Sequence, residues 1–167
     1  MYGHYRCMVH TLHTRRAPAG KRTSHLDVGQ AGEEEAARFL AARKFSFLAR
    51  NWRPQGQARH LELDIIGSED DTVVFVEVKS RDCSTPETAA SSDSPPVLAN
   101  FSPAKRVKML RAARFFLSEY SLWGKPCRFD LICVTFMADA APQLEYYRDV
   151  IELGQTLDSS NASWQPW

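Results

Sequence analysis

The order of predicted secondary structure indicates a mixed α/β domain in which helices pack on a central β-sheet. One helix, three strands, a second helix and two further strands follow one another along the chain. The second helix joins the third and fourth strands, and such a connection permits a right-handed crossover with parallel pairing. The 167 residues, 44% hydrophobic and 25% charged, are enough for one domain with a real core.

The first half is predicted to contain one helix and three strands. A helix over 28–44 follows Asp27, a residue type that caps helices, and it carries an apolar stripe. The segment 45–52 is predicted as the first strand. Two apolar, β-branched segments, 61–66 and 73–79, are predicted as the next two strands, and their short acidic link favours a hairpin.

The second half begins with a helix that the sequence delimits at its start. Ser102 is predicted as the N-cap with Pro103 at the first helical position, and the helix should run to about residue 120. Its inward face is predicted to consist of Val107, Leu110, Ala113 and Leu117. Two more strands are expected over 127–136 and 144–153.

Three segments are predicted to lie outside this folded unit, which spans 28–153. Residues 1–27 lack periodicity and indicate a mobile basic extension, although a start without any role fits them equally. Residues 83–100 are rich in Ser, Thr and Pro, which is typical of a long flexible loop. Residues 154–167 are expected to form a loose polar tail.

Composition favours a cytoplasmic protein that does not contact a membrane. No stretch is apolar over 18 residues, and the N-terminus lacks the apolar run of a secretory signal. The four cysteines show no metal-ligand spacing, and reduced thiols fit a cytosolic protein.

Charged residues interrupt the two apolar strands at a spacing of two. Because side chains alternate between the faces of a strand, Glu77 and Lys79 share one face, and Glu62 and Asp64 share one face of their own strand. Pairs of this kind are also typical of an ordinary sheet with one face in water, so the spacing alone leaves both interpretations open.

The hairpin register decides whether these carboxylates meet. If Gly67 pairs with Thr72, Glu62 lies opposite Glu77 and the carboxylates of both strands form one patch. Like charges placed opposite each other destabilise a sheet, so such a patch needs a cation. Oxygen ligands suit Mg²⁺ or Mn²⁺, which can activate water to attack a phosphodiester. A slip of one residue would separate the carboxylates.

Two basic segments flank this acidic centre. Residues 6–25 and 105–114 each contain five Lys or Arg residues and no acid. Lys105, Lys108 and Arg111 are predicted to form an outward helix face that contacts phosphates without reading bases. A solvated helix face without a ligand would have the same pattern.

Five sequence blocks together resemble the bacterial YraN-type family. They are Gly32–Glu33 with Ala36–Leu40, Asn51–Arg53, Glu62–Ile66, Val74–Arg81 and Arg128–Leu131. That family is considered a distant relative of archaeal Holliday-junction resolvases, within the PD-(D/E)xK or restriction-endonuclease-like nucleases. The resemblance extends over roughly residues 29–136. It departs at His60–Leu61, where the family usually has a glycine.

The resemblance implies a fold and a set of roles. The fold would be a restriction-endonuclease-like mixed sheet flanked by helices. Asp64, Glu77 and Lys79 would be the catalytic residues, and Asp64 and Glu77, with Glu33 of the first helix, would hold the metal. The protein would be a Mg²⁺- or Mn²⁺-dependent endonuclease acting on branched or structured DNA, and a homodimer by analogy with the resolvases.

Two other classes of protein remain open. The first is a non-catalytic nucleic-acid-binding module built on a nuclease fold, which would bind with strong salt dependence and no metal requirement. The second is a protein–protein adaptor in which the basic helix is only a solvated surface.

Overall fold

The computed structural model describes residues 7–11, 25–84 and 101–151, with backbone only for 7–11 and for the first two residues of 25–84. Most of the predicted N-terminal extension, the loop predicted over 83–100 from residue 85 onward, and the predicted tail at 154–167 lie outside the described residues. The prediction of where the folded domain begins and ends therefore stays a prediction.

The described residues form two α-helices, one turn of 3-10 helix (Gly56–Ala58) and six strands. In chain order they are β1 (Cys7–Thr11), α1 (His25–Ala41), β2 (Ser46–Trp52), β3 (Leu63–Glu69), β4 (Thr72–Cys83), α2 (Pro103–Glu119), β5 (Cys127–Met137) and β6 (Gln143–Tyr147). In this part of the chain, neither helix is long and apolar enough to cross a membrane.

The strands form one mixed sheet with the order β1-β6-β5-β4-β3-β2. The β3–β4 pair is antiparallel, and β4 and β5 run parallel through the α2 connection, from Val73 opposite Cys127 to Cys83 opposite Met137. The prediction of a mixed α/β fold with a parallel crossover is confirmed. The resulting position of β4, with a neighbour on each side, places its side chains at the centre of the molecule.

Each face of the sheet carries its own apolar core. On the α2 side, the Phe75 and Phe129 rings stack with their centroids 5.2 Å apart, and Phe116 of α2 meets Phe75 edge to face at 6.0 Å. On the α1 side, Phe39 packs with Val76 in the second core. Burying each side chain of this size contributes about 1.5–3 kcal/mol, so β4 is held firmly from both faces.

Helix α2 follows its prediction at both ends but not on its inner face. The Ser102 hydroxyl accepts a hydrogen bond from the Lys105 backbone N–H at 3.3 Å, which confirms the cap, with Pro103 in the first turn. Val107 was wrongly predicted as a core residue, since it is 44% exposed. The buried stripe is instead Met109, Leu110, Ala112, Ala113, Phe116 and Leu117.

Other element bounds differ from the predictions. Helix α1 begins at His25, so Asp27 lies within the first turn, where its charge suits the helix dipole, rather than at the cap. Strand β6 ends at Tyr147, earlier than predicted. Strand β1 was not predicted; it lies in the segment assigned to the mobile extension and pairs antiparallel with β6.

A glycine brings α1 unusually close to β4. A Cβ atom at Gly32 would lie 2.4 Å from the Cβ of Ser80, which is closer than real side chains approach. Only glycine therefore permits this contact. The next residue on the helix is Glu33, which is carried toward the end of β4 that holds the charged residues.

Candidate active site

The β3–β4 hairpin brings Asp64 across from Glu77. Its ladder runs from Glu69 opposite Thr72 to Ile65 opposite Val76, and one further step in the same register places Asp64 opposite Glu77. The predicted register was therefore wrong by two residues. A shift of two keeps every side chain on its face, so the two acids still meet, with Asp64 rather than Glu62 opposite Glu77.

Asp64 is fixed by the backbone of the facing strand. Its Oδ2 accepts a hydrogen bond of 2.8 Å from the Val78 N–H. The side chain thus occupies the position where the strand ladder stops, and this bond satisfies a donor that would otherwise be left without a partner.

Glu77 is a buried carboxylate with two cations on one oxygen. The residue is 1% exposed. Its Oε1 lies 2.7 Å from the Lys79 Nζ and 2.8 Å from the Lys105 Nζ. Its Oε2 is buried and has no hydrogen-bond partner within the described part of the chain. A buried acceptor without a partner is destabilising, so a donor or a cation placed at Oε2 would stabilise Glu77.

The site destabilises the ionised form of Asp64. Burial, followed by the nearby Glu77 charge, raises the pKa of Asp64 from 3.8 to about 7, and Glu33 adds a smaller contribution in the same direction. Burial alone would lower the pKa of Lys105, but Glu77 above all, with help from Asp64, raises it above its ordinary value. The lysine therefore stays protonated, whereas Asp64 holds its proton to a higher pH than an ordinary aspartate does.

Lys105 is the site residue whose position the sequence analysis missed. It was predicted on the outward face of α2 with Lys108 and Arg111, but its ammonium turns toward Glu77 and its side chain is only 29% exposed. This contact places the first turn of α2 beside Glu77, near the middle of β4.

Glu33 and Glu62 occupy the edge of the site. Glu33 lies close enough for its charge to act on Asp64. Glu62 precedes β3, and its carboxylate pairs with Arg53 at 2.7 Å on the surface, so the predicted pairing of Glu62 with Glu77 is wrong. Among the described residues, no three His, Cys, Asp or Glu side chains converge as a ready-made metal group.

The other two predicted nucleic-acid contacts lie on the surface of α2. Lys108 and Arg111 are exposed, as predicted. They follow Lys105 at a spacing of three residues, so each cation is a neighbour of the next, and this line of cations winds around the helix from the buried Glu77 to open solvent.

A second charged cluster has a structural role. Asp130 is fully buried, and its carboxylate accepts hydrogen bonds from the Arg128 side chain, the Tyr146 hydroxyl and the Asp149 backbone N–H. Arg128 also pairs with Glu69 at 2.8 Å. Because every charge in this cluster has a partner, it fixes β5 to the hairpin and to β6.

The fold and the site define a mixed α/β protein that holds two opposed carboxylates and two lysines at one end of its central strand pair. This acidic–basic site can bind a cation through its oxygens and an anion through its ammonium groups. Nothing in the arrangement resembles a purely solvated strand surface, because Glu77 is buried.

The chain belongs to the family described as "Uncharacterised protein family UPF0102", whose model matches residues 32–134. It is 44% identical over 139 residues to a UPF0102 protein of Nitratidesulfovibrio vulgaris, covering 83% of this chain and 94% of that protein. It is 36% identical to one of Lawsonia intracellularis, covering 84% and 97%. A UPF0102 protein of Oleidesulfovibrio alaskensis is 46% identical over 75% of this chain and 56% of its own length. The YraN-type resemblance corresponds to this family.

Proposed function

We propose that this protein is a metal-dependent endonuclease that hydrolyses phosphodiester bonds in branched or structured DNA. The observation that carries the proposal is Asp64 opposite Glu77, with Lys79 two residues further along the same strand. This order and spacing are similar to those of the PD-(D/E)xK nucleases. A cytoplasmic location and a homodimer belong to the same proposal.

The acidic residues fit a divalent cation by their chemistry. Glu77 Oε2 is a buried oxygen without a partner, and the ionised form of Asp64 is disfavoured by its surroundings. Both features would be relieved by a positive charge between the two strands. Asp64 and Glu77 would hold Mg²⁺ or Mn²⁺, and Glu33 would assist. When bound, such an ion supplies activation of a water nucleophile and stabilisation of charge on the phosphate.

The remaining groups of the site act on the DNA backbone. Lys79 is anchored to Glu77 Oε1 but is 37% exposed, so its ammonium can donate to a phosphate oxygen while it keeps that contact. Its positive charge would stabilise negative charge that develops at the phosphorus centre. The Val78 N–H donates to Oδ2 of Asp64, and this bond fixes the orientation of the carboxylate.

The line of cations on α2 would hold the substrate. Lys105 lies beside the site, and Lys108 and Arg111 continue along the exposed helix. Ammonium and guanidinium groups bind phosphates whatever the base sequence. Backbone contacts combined with shape favour a branched substrate over a defined sequence.

A non-catalytic nucleic-acid-binding module is the second candidate, and one observation favours it. Two lysines already neutralise Glu77, and the described residues contain no group of three metal-type ligands. In this form the protein would bind DNA through the same α2 cations without cleaving it.

Incubation with Mn²⁺ or Mg²⁺ and a panel of flap, junction, duplex and single-stranded DNA tests the proposal. We expect metal-dependent cleavage of branched substrates, abolished by Asp64→Asn or Lys79→Ala while DNA binding in EDTA is retained. Binding without cleavage under any divalent metal would select the non-catalytic module. Cleavage by Lys79→Ala at the parent rate would refute the role of that lysine.

A further inference from the structure

We propose that a cavity beside the C-terminal half of α2 binds an unpaired base of the nucleic-acid strand. The cavity has a volume of about 320 Å³ and is lined by Arg111, Arg114, Phe115, Ser118 and Trp123. This inference rests on the proposed function and deepens it, because it assigns a single-stranded flank to the substrate and a second place where that flank is held.

The aromatic side chains that line the cavity are exposed and do not pack into either apolar core. Phe115 is 45% exposed and Trp123 is 42% exposed, and neither belongs to the two buried clusters. Large apolar side chains held at the surface around a cavity mark a binding site more often than a packing defect. Aromatic rings stack on the flat face of any base, whatever its identity.

The charge around the cavity selects an anionic occupant. Arg111 and Arg114 border the two rings, and α2 contains no acidic residue before Glu119. A guanidinium group can stack on a base or donate two parallel hydrogen bonds to a phosphate. Rings and guanidinium groups in one cavity therefore fit a nucleotide, in which a flat apolar base and an anionic phosphate are joined.

The cations of α2 connect the candidate active site with the cavity. Lys105 contacts Glu77, and Lys108 and Arg111 lead from it along the helix to the cavity. From Lys105 to Arg114 the helix rises about 13 Å and makes about two and a half turns, so a strand that reaches the cavity from Lys105 has to pass around the helix.

Fluorescence anisotropy in EDTA tests the inference without depending on cleavage. The probes are a blunt DNA duplex and the same duplex with a single-stranded overhang. In a further series of overhang probes, each probe carries one abasic nucleotide at a different position of the overhang. We expect the parent to bind the overhang more tightly, and one abasic position to weaken this binding roughly tenfold. Phe115→Ala and Trp123→Ala should weaken overhang binding by a similar factor and leave blunt-duplex binding unchanged.

The coupling between ring and base is the decisive readout. In Phe115→Ala, the abasic position that weakens binding by the parent should cause no further loss of affinity, because the ring on which that base would stack has already been removed. Phe47→Ala is the matched control, since Phe47 is also an exposed aromatic residue, 39% exposed, but lies on β2. It should bind both probes as the parent does.

Each contrary outcome has a distinct meaning. If the overhang adds no affinity, or if every abasic position behaves alike in the parent, the cavity does not bind a base, whatever the variants do. Equal loss by Phe115→Ala on blunt and overhanging probes would also overturn the inference. Failure of the parent to bind any DNA at low salt would instead refute the nucleic-acid partner on which the proposed function depends.

Discussion

Replacing Asp64 with asparagine should stabilise the metal-free protein, and increasingly so as the pH rises. The pKa of Asp64 is about 7 in the folded protein and 3.8 as its ordinary value. Below pH 3.8 the group is protonated in both states and costs nothing. Between these values the unfolded chain releases the proton while the folded protein keeps it, so stability falls with rising pH until the folded pKa is passed.

The magnitude follows from the size of the shift. At about 1.4 kcal/mol for each pH unit between the two pKa values, 3.8 and about 7, the upper limit is near 4 kcal/mol. Asp64 is partly reached by water and interacts with Glu77, so we expect about 2 kcal/mol between roughly pH 5 and pH 8. Asparagine is neutral throughout, and its oxygen can still accept the Val78 N–H.

Urea unfolding in EDTA across this pH range measures the difference between parent and Asp64→Asn. Asp71→Asn is the matched control, because the Asp71 side chain is 96% exposed in the hairpin turn. Its difference from the parent should not change with pH. A pH-independent difference for Asp64→Asn, or a parent that gains stability relative to it at high pH, would refute the reasoning.

Two further predictions concern packing and charge around the site. Gly32→Ala should lower the free energy of unfolding by about 1–3 kcal/mol because its Cβ would meet Ser80 at 2.4 Å. Gly29→Ala, which has nothing within 4 Å, should raise it by about 0.5–1 kcal/mol; equal effects in urea unfolding would contradict the close contact. Lys105→Gln should cost about 1–2 kcal/mol by removing one cation from a buried glutamate. Lys108→Gln should be near neutral, and a similar loss in both would show that the buried ion pair contributes nothing.

The sequence was sufficient to predict the strands and the face on which the charges lie. β-branched runs with a period of two determine which side chains share a face, and they placed Glu77 and Lys79 together. The register was wrong because a four-residue link was assumed, whereas the turn is only Asp70–Asp71, with Asp70 at φ 52°. Aspartate tolerates that left-handed conformation, but the acidic run offered several such residues.

Features that depend on distant parts of the chain could not be predicted in this way. Strand β1 exists through its pairing with β6 near the other end of the chain, and the five residues Cys7–Thr11 are too few for a periodic signal. The inward turn of Lys105 depends on how the crossover positions α2. Helical spacing alone also misjudged Val107, because the true stripe is centred on residues such as Met109 and Phe116.

The double occupation of Glu77 Oε1 has a thermodynamic consequence. As long as Lys79 and Lys105 are paired with Glu77, the charge of both ammonium groups is partly neutralised within the protein. Under the proposed function, a cation bound by this glutamate would release them toward an incoming polyanion, and the two ligands would promote each other's binding. Because such linkage is reciprocal, DNA should strengthen the affinity for the ion by the same factor by which the ion strengthens the affinity for DNA.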